Sequence, residues 1–280
     1  MAPPTSYDPE SLDEQPIPLP NAALLRISQN IVLQPPLSRR GTGPGIVIFL
    51  PDPAQVVFTN QSAPKPLDPD PIIKWAEEGF AVVAITGSND LPSIVQALKE
   101  ALEVLQTLEQ VDVKQKFAVI SEYHGQMHRR SSFFLIFFFF FIQVYNPEVV
   151  YTVSEVVTKE PLIAAFVGYG SFPVSTCSTI PVMLHLATDA PPKPVADCSN
   201  RLTTRHFYPT SSIYFVLPQT THYDPASASL AHSRTLVFLR RSLGGPFFDL
   251  EAIWDEHTYF EFEIRSVAKT MGTMVVSPFC

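Results

Sequence analysis

The chain is poor in several residue types that would each point to a function class. It has only three cysteines in 280 residues, Cys177, Cys198 and Cys280. That number is odd and the spacing fits no metal motif, so neither a disulfide framework nor a zinc site is expected. A reducing, cytoplasmic setting follows. Glycine is scarce, with 11 residues where average usage would give about 20. Charge is thin at 16% and acidic in balance, with net charge −8 and no basic stripe, which argues against nucleic acid. The longest apolar run, Phe133 to Ile142, reaches about half the length of a membrane span, so no membrane partner is expected. The first residues carry no early Lys or Arg and no apolar core, which argues against a signal peptide. They are acidic and hold no Arg before Arg26, which argues against a transit peptide.

Proline, by contrast, is abundant at 28 residues. Residues 1–22 are rich in Pro and acids and read as an extended arm. Beyond it, strand and helix signals alternate. Ile46–Leu50, Phe80–Ile85 and Phe117–Ile120 are short continuous apolar runs, expected of strands buried on both faces. Leu162–Val167, Pro181–Ala187, Arg205–Tyr208 and Ile213–Leu217 are further strand candidates. Asp70-Pro71, Asn146-Pro147 and Asp224-Pro225 are helix starts: the first residue caps free N–H groups and the proline lacks one. Ser93–Gln110 is the clearest amphipathic helix, with Ile94, Leu98, Leu102 and Leu105 on one face. Strands alternating with helices predict a doubly wound, mostly parallel α/β sheet with helices on both faces. Ligands of such sheets bind at the carboxyl ends of the strands.

Residues 121–143 break this pattern. They follow a buried strand and precede a capped helix, and seven of the chain's 21 Phe fall within Phe133–Phe141. The segment reads as a translated intron. Ser121-Glu122-Tyr123 can be encoded by AGT GAG TAT, which contains a splice-donor consensus. A phenylalanine run is what a tract of T encodes, and Gln143-Val144 can place a terminal AG across the codon boundary. Joining the flanks gives FAVI-(Ile or Met)-YNPEVV, an uninterrupted strand, turn and helix. The alternative is a lineage-specific insertion.

The order PGIVIFLPD, KWAEEGFAVVAI, KQKFAVI, PVMLHLATD, HFYPTSSIYFVLP and YDPASASLAHSRTLVFLRRSLGG resembles the dienelactone hydrolase (carboxymethylenebutenolidase-like) branch of the α/β-hydrolases. The likeness spans roughly residues 25–245, apart from the insert. It is greatest to a fungal subgroup in which this domain precedes a SnoaL-like α+β domain. On that basis residues 23–249 form the α/β-hydrolase-like domain and 250–280 the truncated first helix of the second. The resemblance implies ester or lactone hydrolysis on a small ligand, with no cofactor and no metal.

It also implies three catalytic parts: a Cys or Ser on a G-x-C-x-G or G-x-S-x-G elbow, a His, and an acid that orients it. The spliced turn Val144-Tyr145-Asn146-Pro147 holds no nucleophile and no glycine. Ser121 lies at the right distance from a strand, but Val119 and Tyr123 occupy the glycine positions. The pattern Y-P-x-x-x-H-x-F places Ile213 where the His belongs; His206 and His222 lie near by and read as satisfied or surface histidines. Asp189, closing PVMLHLATD, fits the acid, and Cys177 is a candidate displaced nucleophile that, with no His at fixed spacing, reads rather as a packed thiol. The loop Pro51-Asp52-Pro53 would offer two prolines and a carboxylate to a developing oxyanion, which is unfavourable.

Other clusters carry less. Gly41-Thr42-Gly43-Pro44-Gly45 precedes a strand rather than joining a strand to a helix, so it is no dinucleotide loop. Asp255, Glu256, His257, Glu261 and Glu263 scatter around a helix rather than converging on a metal. Two functions are therefore expected to compete: an ester or lactone hydrolase, and a hydrolase-fold domain that binds or scaffolds without triad chemistry.

Overall fold

The computed structural model describes residues 8–14, 22–38, 40–59, 66–87, 90–112, 114–118, 134–138, 140–145, 150–157, 159–170, 179–187, 202–209, 211–218, 220–243 and 250–274. A short hairpin, β1 (Leu25–Arg26) and β2 (Ile31–Gln34), leads to β3 (Gly45–Leu50). Then come α1 (Pro71–Glu77), β4 (Ala81–Thr86), α2 (Leu91–Thr107), β5 (Lys114–Ala118), β6 (Phe134–Phe138) and β7 (Phe140–Val144). The remainder is α3 (Val150–Val157), β8 (Ile163–Gly170), β9 (Val182–Leu186), β10 (Thr203–Phe207), α4 (Pro225–Leu243), α5 (Leu250–Thr258) and α6 (Val267–Met274).

Eight strands form one sheet in the order β1-β2-β4-β3-β7-β8-β9-β10. All pairs from β4 through β10 are parallel, while β2 runs antiparallel to both its neighbours. This is an α/β-hydrolase-like, doubly wound sheet. The chain steps outward from β3 to β4, then crosses back to β7 on the other side of β3. The strand order therefore reverses between β3 and β7, and the crevice at their carboxyl ends is where such sheets bind ligands.

Alternation along the strands divides the core in two. Val47, Phe49, Val83 and Ile85 face α2 and α3, meeting Ile94, Leu98, Leu105 and Val153. Ile46, Ile48, Val82 and Ala84 face α1 and α4, meeting Trp75, Ala76, Ala231 and Leu239. Each apolar side chain removed from water contributes about 1.5–3 kcal/mol, which is why β3 and β4 are apolar on both faces.

The Asp-Pro helix starts behave as their chemistry requires. Asp70 Oδ1 accepts from the Ile72 and Ile73 amides at 3.0 and 3.3 Å. Asp224 Oδ1 accepts from Ala226 and Ser227 at 3.2 and 3.4 Å. The amphipathic helix starts at Leu91, ahead of Ser93, because Asp90 caps it through the Ser93 amide. The Asn146-Pro147 start lies outside the described residues; the helix that follows, α3, begins at Val150.

Three expectations need correction. Phe117–Ile120 was expected as a strand of the main sheet, but Lys114–Ala118 pairs with Phe134–Phe138 in a separate two-stranded sheet. The central place is taken by Phe140–Val144, whose last residues Ile142 and Val144 are as apolar as the place demands. Ile213–Leu217 is not a strand: Phe215 and Leu217 donate to Ser212 and Tyr214, closing tight turns that bury Phe215. The helix expected from residue 250 is broken. After α5 the backbone widens into a π-turn over Tyr259–Ile264, which Arg265 closes in a left-handed conformation (φ 57°) ahead of α6.

Gly43 explains part of the early glycine cluster. A Cβ there would sit 1.7 Å from the Gly79 carbonyl oxygen, so the loop into β3 passes the end of α1 only without a side chain. Among the described residues no helix is long and apolar enough to cross a membrane.

Candidate functional site

Parallel register builds the site. Val144 lies opposite Gly168, so the next residues, Tyr145 and Tyr169, stand side by side. Tyr169 is opposite His185, and His185 is opposite His206. Strands about 4.8 Å apart put such rings at stacking distance. Centroids are separated by 4.6 Å (Tyr145–Tyr169), 4.9 Å (Tyr169–His185) and 5.5 Å (His185–His206), with interplanar angles of 16°, 12° and 25°. Four strands thus contribute one ladder of rings on the face covered by α1 and α4.

A hydrogen-bond chain runs along this ladder and has one direction. Tyr145 and Tyr169 both donate to Gln143 Oε1, at 3.1 and 3.3 Å. Having spent its proton there, Tyr169 accepts from Thr235 of α4 at 3.1 Å. Thr235 in turn accepts from His185 Nε2 at 2.8 Å. Neutral His185 then presents bare Nδ1 to the Tyr208 hydroxyl at 2.8 Å, and Tyr208 accepts from Arg234 at 3.2 Å. The network therefore assigns His185 as the Nε2–H tautomer. At the far end Trp75 Nε1 donates to Tyr145 at 2.6 Å.

Burial sets the protonation states. It drives His185 well below the ordinary histidine value, and the nearby His206 and Arg234 push the same way. It drives the Tyr145 phenol well above its ordinary value, against a hydrogen bond from Trp75 that acts in the opposite sense. Tyr169 is raised for the same main reason. The chain is therefore neutral at physiological pH. One atom spoils it: Gln143 is fully buried and its Nε2 has no hydrogen-bond partner among the described residues. An orphaned amide of this kind costs about 1–3 kcal/mol.

Over Tyr145 and Tyr169 opens a cavity of about 20 Å³, lined also by Asp68, Lys74, Val216 and His232. That is room for one water. It sits at the carboxyl end of β7, beside the switch point, between the amino-terminal parts of α1 and α4. Asp68 accepts from Lys74 Nζ at 2.6 Å and from the Tyr223 hydroxyl at 2.7 Å. Burial raises the Asp68 carboxyl, but these two hydrogen bonds outweigh it and hold the group below the ordinary carboxylate value. His232 packs against Trp75 at 4.6 Å and binds Glu78 at 2.9 Å, so it is turned toward a carboxylate of α1's end rather than toward a nucleophile.

Asp189 and Cys177, the acid and thiol candidates, lie outside the described residues, as do Ser121 and the elbow residues Asn146 and Pro147. The strand that leads to Asp189, β9, spans Val182–Leu186, within the expected Pro181–Ala187. Directly after β7 stands Tyr145, 5% exposed. In the Pro51-Asp52-Pro53 loop, the Ala54 amide is spent on Asp52 Oδ1 at 2.9 Å. Ile213 lies in the turn after β10, and His222 rests 6.2 Å from Tyr214. His206 is in the ring ladder, with its pKa lowered by partial burial and by Arg234. Among the described residues no group of three or more His, Cys, Asp or Glu could hold a metal.

Sequence reasoning passed over Gln143, Tyr169, His185, Thr235 and His232. The one available signal was His185 itself, a basic residue in the otherwise apolar run Val182–Leu186.

No family profile and no curated protein matches the chain. Solved structures do. An acylaminoacyl peptidase from Pyrococcus horikoshii is 11% identical over 84% of this chain and 44% of its own, with a TM-score of 0.46. Est1E from Butyrivibrio proteoclasticus is 9% identical over 80% and 99%, at 0.45. A dienelactone hydrolase from Anabaena variabilis is 11% identical over 80% and 97%, at 0.41. This chain spans less than half the length of the peptidase.

Proposed function

We propose that this chain is a hydrolase-fold domain that holds a small polar ligand, of the ester or lactone class, without nucleophilic catalysis. The observation that carries this reading is Tyr145. At the end of the central strand it offers a neutral phenol, fixed between Trp75 and Gln143, where an acyl-transfer enzyme of this fold needs an activated Ser or Cys. The cavity beside it, with room for one water, takes only the carbonyl or hydroxyl end of such a ligand, against a paired acid and base and two phenols. On this reading the apolar side chains exposed on α5 and the following turn, Trp254, Tyr259 and Phe262, are covered by a SnoaL-like domain. The three cysteines of the chain stay reduced in the cytoplasm.

The second reading is an ester or lactone hydrolase, favoured by Asp189 just beyond β9. The two are separated by turnover of p-nitrophenyl acetate and of a dienelactone, together with titration of the same lactone against Trp75 fluorescence. Saturable quenching with no turnover supports binding alone. Turnover abolished by Asp189→Asn or Cys177→Ala establishes the hydrolase and removes the binding reading.

A further inference from the structure

We infer that the central place of the sheet, between β3 and β8, is built for Phe117–Ile120, and that residues 121–143 displace those residues from it. The chain without these 23 residues folds with Phe117–Ile120 running into Val144 as its central strand.

Three independent observations meet here. The first is how the chain approaches. After α2, Val111 forms a parallel bridge with Gly43, Gly43 donates to the Gln110 carbonyl at 2.9 Å, and Asp112 donates to Gly43 at 3.2 Å. The chain is thus already alongside the extension of β3, on the side away from β4 and pointing in the direction the central strand needs. It then leaves to form β5 and β6, and the central place is filled by β7 from the far end of the insert.

The second is register. Ile46, Val47, Ile48 and Phe49 pair with Phe141, Ile142, Gln143 and Val144. Counting back from Val144 in the shortened chain puts Ala118, Val119 and Ile120 opposite Ile46, Val47 and Ile48. Tyr145 and everything after it keep their places. Residues 112–116 are then enough chain to join the Gly43 bridge to the strand.

The third is chemistry. The position opposite Ile48 faces the buried α1–α4 side, and there the insert supplies Gln143, whose amide nitrogen has no partner among the described residues. The shortened chain supplies Ile120, a β-branched apolar residue suited to a strand buried on both faces. Meanwhile β5 is left in a two-stranded ribbon, an arrangement that is marginal in water. The inferred splice sites fall at the two ends of the same segment.

The test compares the full chain with the chain lacking residues 121–143, by urea unfolding and by hydrogen exchange read at Phe117–Ile120. The shortened chain is expected to unfold cooperatively at a higher urea midpoint. Its Phe117–Ile120 amides should exchange at least about a hundredfold more slowly than in the full chain, because they join the central ladder. A soluble shortened chain beside an insoluble full chain is the same result in stronger form, provided the amides are protected. Non-cooperative unfolding of the shortened chain, a lower midpoint, or fast exchange at Phe117–Ile120 overturns the inference. The shortened chain also loses Gln143, which holds the Tyr145 phenol, so the binding reading is tested on the full chain alone and stands or falls separately.

Discussion

His185 stands directly opposite Tyr169 in the parallel pairing of β9 with β8, and the two rings stack 4.9 Å apart. The contact holds a histidine at zero exposure with both ring nitrogens committed, so its protonated form has no place in the folded chain. The folded pKa is depressed well below the unfolded value near 6.5. As pH falls below that value the unfolded chain takes up a proton that the folded chain refuses. Stability is therefore fully present above about pH 6.5 and declines below it, by at most about 1.4 kcal/mol per pH unit for this group. His185→Gln should flatten urea midpoints measured between pH 6.5 and 5, leaving the smaller slope of His206, which is depressed in the same direction. An unchanged slope would show that His185 is not the group responsible.

Gln143 sets the polarity of the chain of hydroxyls. Without its oxygen, Tyr169 turns its proton to Thr235. Thr235 must then donate to His185 Nε2, and the ring proton moves to Nδ1. Gln143→Leu is thus expected to switch His185 from the Nε2–H to the Nδ1–H tautomer. Nitrogen-15 shifts of the imidazole ring read the change directly, and retention of the original tautomer contradicts the assigned direction.

Tyr145→Phe removes one hydroxyl and strands the buried Trp75 N–H, which donates to it at 2.6 Å. A buried donor left without a partner costs about 1–3 kcal/mol. The variant should lose that much stability in urea, while background turnover of p-nitrophenyl acetate stays where it was. A fall in turnover out of proportion to the loss of folded protein would place Tyr145 in chemistry.

Gly43→Ala tests the crossing of the β3 loop over the end of α1. The added methyl meets a backbone carbonyl, which cannot rotate aside as a side-chain tip would. Overpacking of this kind costs about 1–3 kcal/mol and sometimes more. A loss near the top of that range, or no soluble protein, is the expected result; a neutral substitution would mean the loop shifts freely.

Much of the fold could be read from residues alone because its signals are local. Asp70-Pro71 and Asp224-Pro225 carry their caps within three residues, and Ile46–Leu50 announces a strand buried on both faces by lacking any polar residue. The site is different in kind. Tyr169, His185 and His206 come from three separate strands and Tyr145 from the end of a fourth, and only pairing register brings them together. In sequence each is one ring among many. The central strand was misplaced for a related reason. Phe117–Ile120 reads as the central strand and Phe140–Val144 as part of an insert, and which segment pairs with β3 is decided by long-range hydrogen bonding rather than by propensity. Ile213–Leu217 misled because a buried apolar stretch closed by turns has the same composition as a strand.

Thr235 has a role that its position away from the cavity conceals. The apolar stripe of α4 grips the sheet through contacts that have no direction, and these alone would let the helix slide along its axis. Thr235, fully buried, is tied to His185 on β9 and Tyr169 on β8 by bonds that tolerate little displacement. It works as a locating pin. Because Ala228 and His232 ride on the same helix, the shape of the cavity wall is fixed by a hydroxyl that does not line it.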